Sequence, residues 1–377
     1  MGRTRTKTRK APPPSINAIQ DEPKSLPDIS ALLEKAQDLI VQCDYPLAAR
    51  FVDRVLQRAP HHSDAKEMLG VVQLETGDLD GARLTFQSLL PPSPHAPNPP
   101  PPAAHLYLAQ LSDDDPQTAL QHYRAAVDLL TAQLKGKERA VGTSSGEDDE
   151  QETRQTIVRA LIGQVEVWMD PTYDLCFDPE AEKTCEDLLE LALKTDSENN
   201  EALQSLASVR MSQQRPDDAR ALLEKAWFSW KDLETDDPRL PPISSRLSLT
   251  KLFLELELYG PALLVLQGVM AVDDEEVEAW YLEGWCYFLM AEQAHETGGK
   301  LDDTPWEELA RGARDSLERC KLLHIHQEHP DTPLRDHVQE LISKLEVLGI
   351  QPSPEDEDDD GEEWEEADDS DGDVAMS

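Results

Sequence analysis

Residues 65–94 read AKEMLGVVQLETGDLDGARLTFQSLLPPSP. Within this stretch Ala65, Leu69, Gly70, Gly77, Asp78, Ala82, Phe86 and Pro94 stand at the offsets of a helix–turn–helix unit about 34 residues long. Each residue type has a steric task. Gly70 and Ala82 are small where two antiparallel helices cross closely, and Leu69 and Phe86 fill the space around the crossing. Gly77-Asp78 makes the turn, and Pro94, which lacks an N–H, stops the chain continuing as helix. One repeat upstream Ala36 lies under Gly70, Ala48 under Ala82 and Pro60 under Pro94. Three matches in one register define a repeat, and a repeat that cannot bury its own apolar face must stack on its neighbours.

The offsets are those of the tetratricopeptide (TPR) repeat. The expected fold is therefore all-α: a TPR superhelix of about seven repeats with a C-terminal capping helix, spanning residues 28–348. The repeats are expected at 28–60, 62–94, 103–134, 154–196, 199–233, 243–275 and from 278 to about 326. Repeat seven carries Trp280, Gly284 and Tyr287 of the W-x₂-L-G-x₂-Y signature, with Glu283 in place of its Leu. The cap is expected at 333–348. A Pro-rich insert at 91–102 cannot be helix. A polar, acidic loop is expected at 135–153, and a further break at 292–304. Residues 1–27 form a basic segment and residues 349–377 an acidic tail, and neither has the composition to bury a core.

The 377 residues hold 35 Lys and Arg against 76 Asp and Glu, for a net charge of −41. Such a surface repels nucleic acid and anionic lipid and attracts basic polypeptides, over a range that salt shortens. Arg3, Arg5, Lys7, Arg9 and Lys10 oppose that charge at the N-terminus, as a solvated tail, a nuclear localisation signal read by import factors, or a segment folding back on the acidic body. Five cysteines without CxxC spacing suit free thiols in a reducing compartment, and no stretch is apolar enough to span a bilayer. The expectation is a cytoplasmic and nuclear protein.

No P-loop, GxSxG or HExxH motif occurs, so an enzyme is not expected, and no cofactor motif is present. Cys320, His324, His326 and His329 cluster, but without the paired short spacings of a zinc site; packing or surface roles are expected for them, and no metal.

Binding is where the sequence speaks. In a TPR stack the first helix of each repeat lines the concave face. Counting from the aligned small residues puts Glu67, Val71 and Glu75 of repeat two on that face. Repeat four gives Gln164 and Trp168, repeat five Glu201 and Gln204, and repeat six Glu255. Repeat seven supplies Glu278, Tyr281, Trp285 and Phe288, while Trp280 and Tyr287 are expected to pack. Inward carboxylates and amides can bond Lys and Arg, and an aromatic face adds cation–π attraction of roughly 0.5–2 kcal/mol per pair. The competing reading of these carboxylates is an ordinary solvated helix face. TPR proteins that clamp acidic chaperone C-termini use Lys and Asn at these positions. Here Leu33, Gln37, Glu67 and Val71 stand there, and Lys251 is the one basic residue placed on the face, so an acidic peptide would be repelled.

The order of features resembles one family over essentially the full length. A basic N-terminus, a TPR stack with a Pro-rich insert after repeat two, an internal acidic loop and the tail EDEDDDGEEWEEADDSDGD are similar to the fungal assembly chaperones of large-subunit ribosomal protein four. The resemblance implies a dedicated chaperone that captures the newly made, basic ribosomal protein by its long internal loop on the concave face. It implies that the client is kept soluble and delivered to the nuclear pre-60S particle, from a monomeric one-to-one complex. An alternative class is a nuclear scaffold or histone-type chaperone that binds basic proteins mainly through the acidic tail.

Overall fold

A computed structural model describes residues 28–112, 114–139 and 147–353. The basic segment 1–27 and the acidic tail from 354 onward lie outside the described residues. The chain divides into two compact units at Arg139/Ala140, and each is described by itself.

The first unit holds three helical hairpins: α1 (Ile29–Val41) with α2 (Tyr45–Arg58), α3 (Ser63–Glu75) with α4 (Leu79–Gln87), and α5 (Pro102–Gln110) with α6 (Pro116–Arg139). Helix starts follow local chemistry. The side chains of Asp28, Asp44, Asp78 and Asp115 each accept a backbone N–H of the following turn, satisfying donors that have no partner inside the helix. Ala36, Ala48, Ala65, Ala82 and Phe86 are fully buried where the hairpins close. A methyl group built on Gly70 would lie 2.5 Å from the Phe86 ring, so the ring occupies the space that the missing side chain leaves. Helix α4 stops well before Pro94, the residue expected to end it. It closes at Gln87, because Leu89 and Leu90 turn inward to the core and Pro91 pushes its predecessor out of helical geometry.

The second unit opens with α7 (Glu147–Met169), a 3₁₀ turn (Asp174–Phe177) and α8 (Ala181–Thr195). It continues with α9 (Asn200–Ser212), α10 (Pro216–Phe228), α11 (Ile243–Glu255), α12 (Tyr259–Met270), α13 (Val277–Thr297), α14 (Trp306–His326) and α15 (Thr332–Val347). The expected loop 135–153 is corrected: α6 and α7 take helix into it from both sides, leaving 140–146 outside the described residues. Its polar residues read as loop, yet an acid-rich stretch suits a helix start, where carboxylates meet the positive end of the dipole. The expected break at 292–304 is also shorter. Helix α13 continues to Thr297, and Gly298 and Gly299 end it with φ of 124° and 90°. A two-residue ladder, β1 (Lys300–Leu301) against β2 (Thr304–Pro305), then turns through Asp302-Asp303 at φ of 48° and 68°. Positive φ at both central residues is what a tight hairpin of this twist requires.

One turn recurs through both units. After α1, α3, α9, α11 and α14 a single residue enters the left-handed region: Cys43, Gly77, Gln214, Glu257 and Glu328. In each case that residue's N–H bonds three residues back and the next N–H bonds five back, as in Gly77 to Leu74 (3.0 Å) and Asp78 to Gln73 (2.8 Å). This paired closure satisfies the last carbonyls of the first helix and aims the chain into the second.

In repeat seven Gly284 lets α13 and α14 approach. A methyl group there would sit 2.7 Å from Leu317 Cγ and 3.2 Å from its backbone nitrogen. Glu283, where the repeat signature has Leu, is buried and accepts from Ser316 Oγ at 2.9 Å. Helix α15 covers α14 through Leu334, Val338, Leu341, Ile342 and Leu345. It is fastened by Arg314, which donates to the Ile342 carbonyl and to Glu318 and Glu346 at 2.8 and 2.9 Å.

Candidate functional site

In the first unit Glu67, Val71 and Glu75 fall on one stripe of α3, spaced by four residues. Val71 packs on the apolar cluster around Phe86 and Leu108, so the two carboxylates flank an apolar step. Burial first, and then the neighbouring Asp64, hold Glu67 above the ordinary carboxylate range. Two tyrosines complete the strip. Tyr45 Oη donates to Glu75 Oε2 at 3.3 Å, and Tyr107 stacks on Phe86 at 4.7 Å. Burial first, and then the Glu67 and Glu75 charges, raise the Tyr107 phenol. Helix periodicity could not bring Tyr45 and Tyr107 to this strip, because they come from other helices.

In the second unit the expected residues divide. Gln164 is 2% exposed and its amide donates to Ala160 O in its own helix. Gln204 is buried and donates to Ser245 Oγ at 3.2 Å, tying α9 to α11. Phe288 is also buried, beneath Lys344. Both amides are turned away from solvent: Gln204 ties α9 to α11, and Gln164 bonds back to its own helix. Phe288 belongs to the core between α13 and α15, with only an edge toward solvent. Trp168 is half-buried, and its indole N–H has no partner among the described residues. Glu201 and Glu255 are exposed on α9 and α11. Glu166, which the repeat count passes over, stands near Glu201; crowding by protein and then the Glu201 charge raise its carboxyl.

Glu278, Tyr281 and Trp285 do come together, joined by residues of α15 and of the turn before it. They border a cavity of about 330 Å³ with Lys251, Asp331 and His337. Tyr281 and Trp285 stack at 5.9 Å, and the His337 ring stands edge-on to both at 5.8 Å. Burial, followed by the nearby Cys320, Glu278 and Asp331, pushes the Tyr281 phenol up to about 12. It therefore stays protonated and can donate to His337 Nδ1, 2.9 Å away. Lys251 is held by Glu278 at 2.5 Å. An aromatic wall between two carboxylates suits an arriving Lys or Arg, which can rest on the ring faces and displace Lys251 from Glu278. Asp331 and His337 belong to the cap, and no repeat signature reaches them.

The other clustered groups are structural. Cys320 donates to Val277 O within the core, and His324 Nε2 bonds Asp331 O at 2.8 Å. Trp280 donates to Asp274 O, and Tyr287 packs against the α13–α15 core.

Paired helices closed by small residues and left-handed turns make the chain a tetratricopeptide repeat protein, and residues 33–97 match that repeat family. The chain is 32% identical over 304 residues to the probable assembly chaperone of rpl4 of Schizosaccharomyces pombe, covering 80% of this chain and 85% of that protein. To the protein of the same description in Emericella nidulans it is 29% identical over 382 residues, 96% of this chain and 94% of that one. Among solved structures, the assembly chaperone of RpL4 (Acl4), residues 1–338, superposes with a TM-score of 0.63 at 29% identity, covering 72% of this chain and all of that one. The chain belongs to the family of assembly chaperones of rpl4.

Proposed function

We propose that this chain is a dedicated chaperone of large-subunit ribosomal protein four. It takes the newly made protein by its basic internal loop, keeps it soluble and hands it to the pre-60S particle in the nucleus. The observation that carries the reading is the pairing of acid with aromatic in both units: Glu67 and Glu75 with Tyr45 and Tyr107, and Glu278 and Asp331 with Tyr281 and Trp285. A bare acidic surface attracts any cation. Carboxylates held at fixed positions beside ring faces select an extended chain of Lys and Arg, whose alkyl stems lie on the rings while their heads reach the acids. Family membership supplies the client's identity.

The complex is a one-to-one assembly that passes from cytoplasm to nucleus, with the basic N-terminal run engaging import factors, and it works without catalysis. Co-expression tests the reading. Ribosomal protein four produced with this chain stays in the soluble fraction and co-purifies in equal amounts. A client that precipitates equally with and without it contradicts the proposal.

A further inference from the structure

The stripe of α13 that carries Glu278, Tyr281 and Trp285 continues past them through Phe288, Glu292 and His295. It can do so because α13 has 21 residues where α3, α9 and α11 have 13, an excess of about two turns. The added turns stand beside the C-terminal half of α15 and the start of α14, and the three helices enclose a groove of about 580 Å³. Its floor is apolar: Phe288, Ala291, Trp306, Ala310 and Leu345. At its mouth Val347 is 88% exposed and Leu348 56%. The rim is acidic. Glu292, Glu296 and Glu340 line it against Lys344, which Glu340 holds at 2.9 Å and the Glu292 charge also stabilises.

We propose that this groove is a second compartment of the client site, and that it takes bulky aliphatic or aromatic side chains embedded in the client's basic sequence. The inference rests on the function proposed above and deepens it: the Tyr281–Trp285–His337 pocket takes a cationic side chain, and the groove beyond it on α13 anchors its apolar neighbours. Charge decides the occupant. The chain's own C-terminal segment leaves from Ser353, fastened to Asp315, and carries fourteen acids between 355 and 377, which the Glu292–Glu296 rim repels. A basic segment gains from the same rim and buries its apolar side chains on the floor.

The test uses two fluorescent basic octapeptides, one with two central leucines and one with alanines in their place, together with purified ribosomal protein four. The full chain binds the leucine peptide about tenfold or more tightly than the alanine peptide, as burial of two leucines requires. The double variant V347S/L348S, at surface positions that leave folding intact by circular dichroism, loses most of that preference. The variant E292Q/E296Q weakens both peptides alike and flattens their salt dependence. Equal affinity of the two peptides for the unaltered chain overturns the proposal. So does binding that appears only after deletion of 354–377, which would make the tail the occupant. Ribosomal protein four separates this inference from the functional reading. If it fails to bind the unaltered chain while the peptides are still discriminated, the functional reading falls and the groove's preference stands. If it binds the unaltered chain and V347S/L348S equally, the groove is not part of the client site.

Discussion

At the scale of single residues, the hairpins rest on positions where side chains are absent or strained. Gly77 meets the left-handed turn at no steric cost, whereas Cys43, Gln214, Glu257 and Glu328 meet it at φ of 51–61° with a side chain in place. Glu257 is exposed, so Glu257→Gly removes strain without removing packing, and we expect a gain of about 1 kcal/mol in unfolding free energy by urea titration. Gly77→Ala should lose a similar amount. Glu283 offers a test by pH. Burial raises its carboxyl above the ordinary value of 4.5, an effect the Ser316 hydrogen bond partly offsets. Between that value and the raised one, the folded chain holds a proton that the unfolded chain has released, so this group's contribution to stability falls as pH rises. Glu283→Gln keeps an acceptor for Ser316 and carries no charge. It should melt higher than the parent at pH 7.5, with the margin shrinking toward pH 5; a margin that grows on acidification would contradict the burial argument.

At the scale of elements, most helices were legible because the repeat signature marks the small residues where helices cross, and those marks recur. Asp28, Asp44 and Asp78 announce helix starts, and Gly77 announces a turn. What lay beyond reach follows from the same logic. The left-handed Gln214 and Glu257 carry no glycine signal, since tertiary packing imposes a conformation that their own preference does not. Helix α13 outruns its repeat because EQAHE continues a helix well, and nothing before Gly298 stops it. Gln164 and Gln204 sit on the expected helices, yet both are buried, because the inward face of a first helix is shared between neighbours and solvent. Besides its apolar face, the capping helix is fastened by one buried cation. Arg314 is buried and bonds Ile342 O, Glu318 and Glu346, and the two acids are 30% and 54% exposed. With the acids able to rehydrate, Arg314→Ala should cost about 1–3 kcal/mol, below the range for fully buried pairs. Hydrogen exchange should show the loss as faster exchange confined to 332–347, with α9–α12 unchanged.

At the scale of the whole molecule, charge and geometry do separate work. A net charge of −41 draws basic chains from a distance and sets the association rate, and salt weakens that pull. In the function proposed above, recognition is left to side chains fixed on helices. The sequence displayed both, but only half of the second: Glu67, Glu75, Glu278, Tyr281 and Trp285 follow from periodicity, while Tyr45, Tyr107, Asp331 and His337 reach the same strips through tertiary packing alone. The central claim is that fixed carboxylates, rather than bulk negative charge, hold the client. The direct measurement compares two variants with the same change in net charge at physiological ionic strength. One reverses Glu67, Glu75, Glu201 and Glu255 to Lys; the other reverses Asp358, Asp359, Glu362 and Glu363. Folding of both is checked by circular dichroism, and the Kd for ribosomal protein four is measured with association and dissociation rates resolved. The account predicts that the first variant no longer captures the client, and that the second keeps its dissociation rate while associating more slowly and with less salt sensitivity. Equal losses of affinity in the two variants would contradict it.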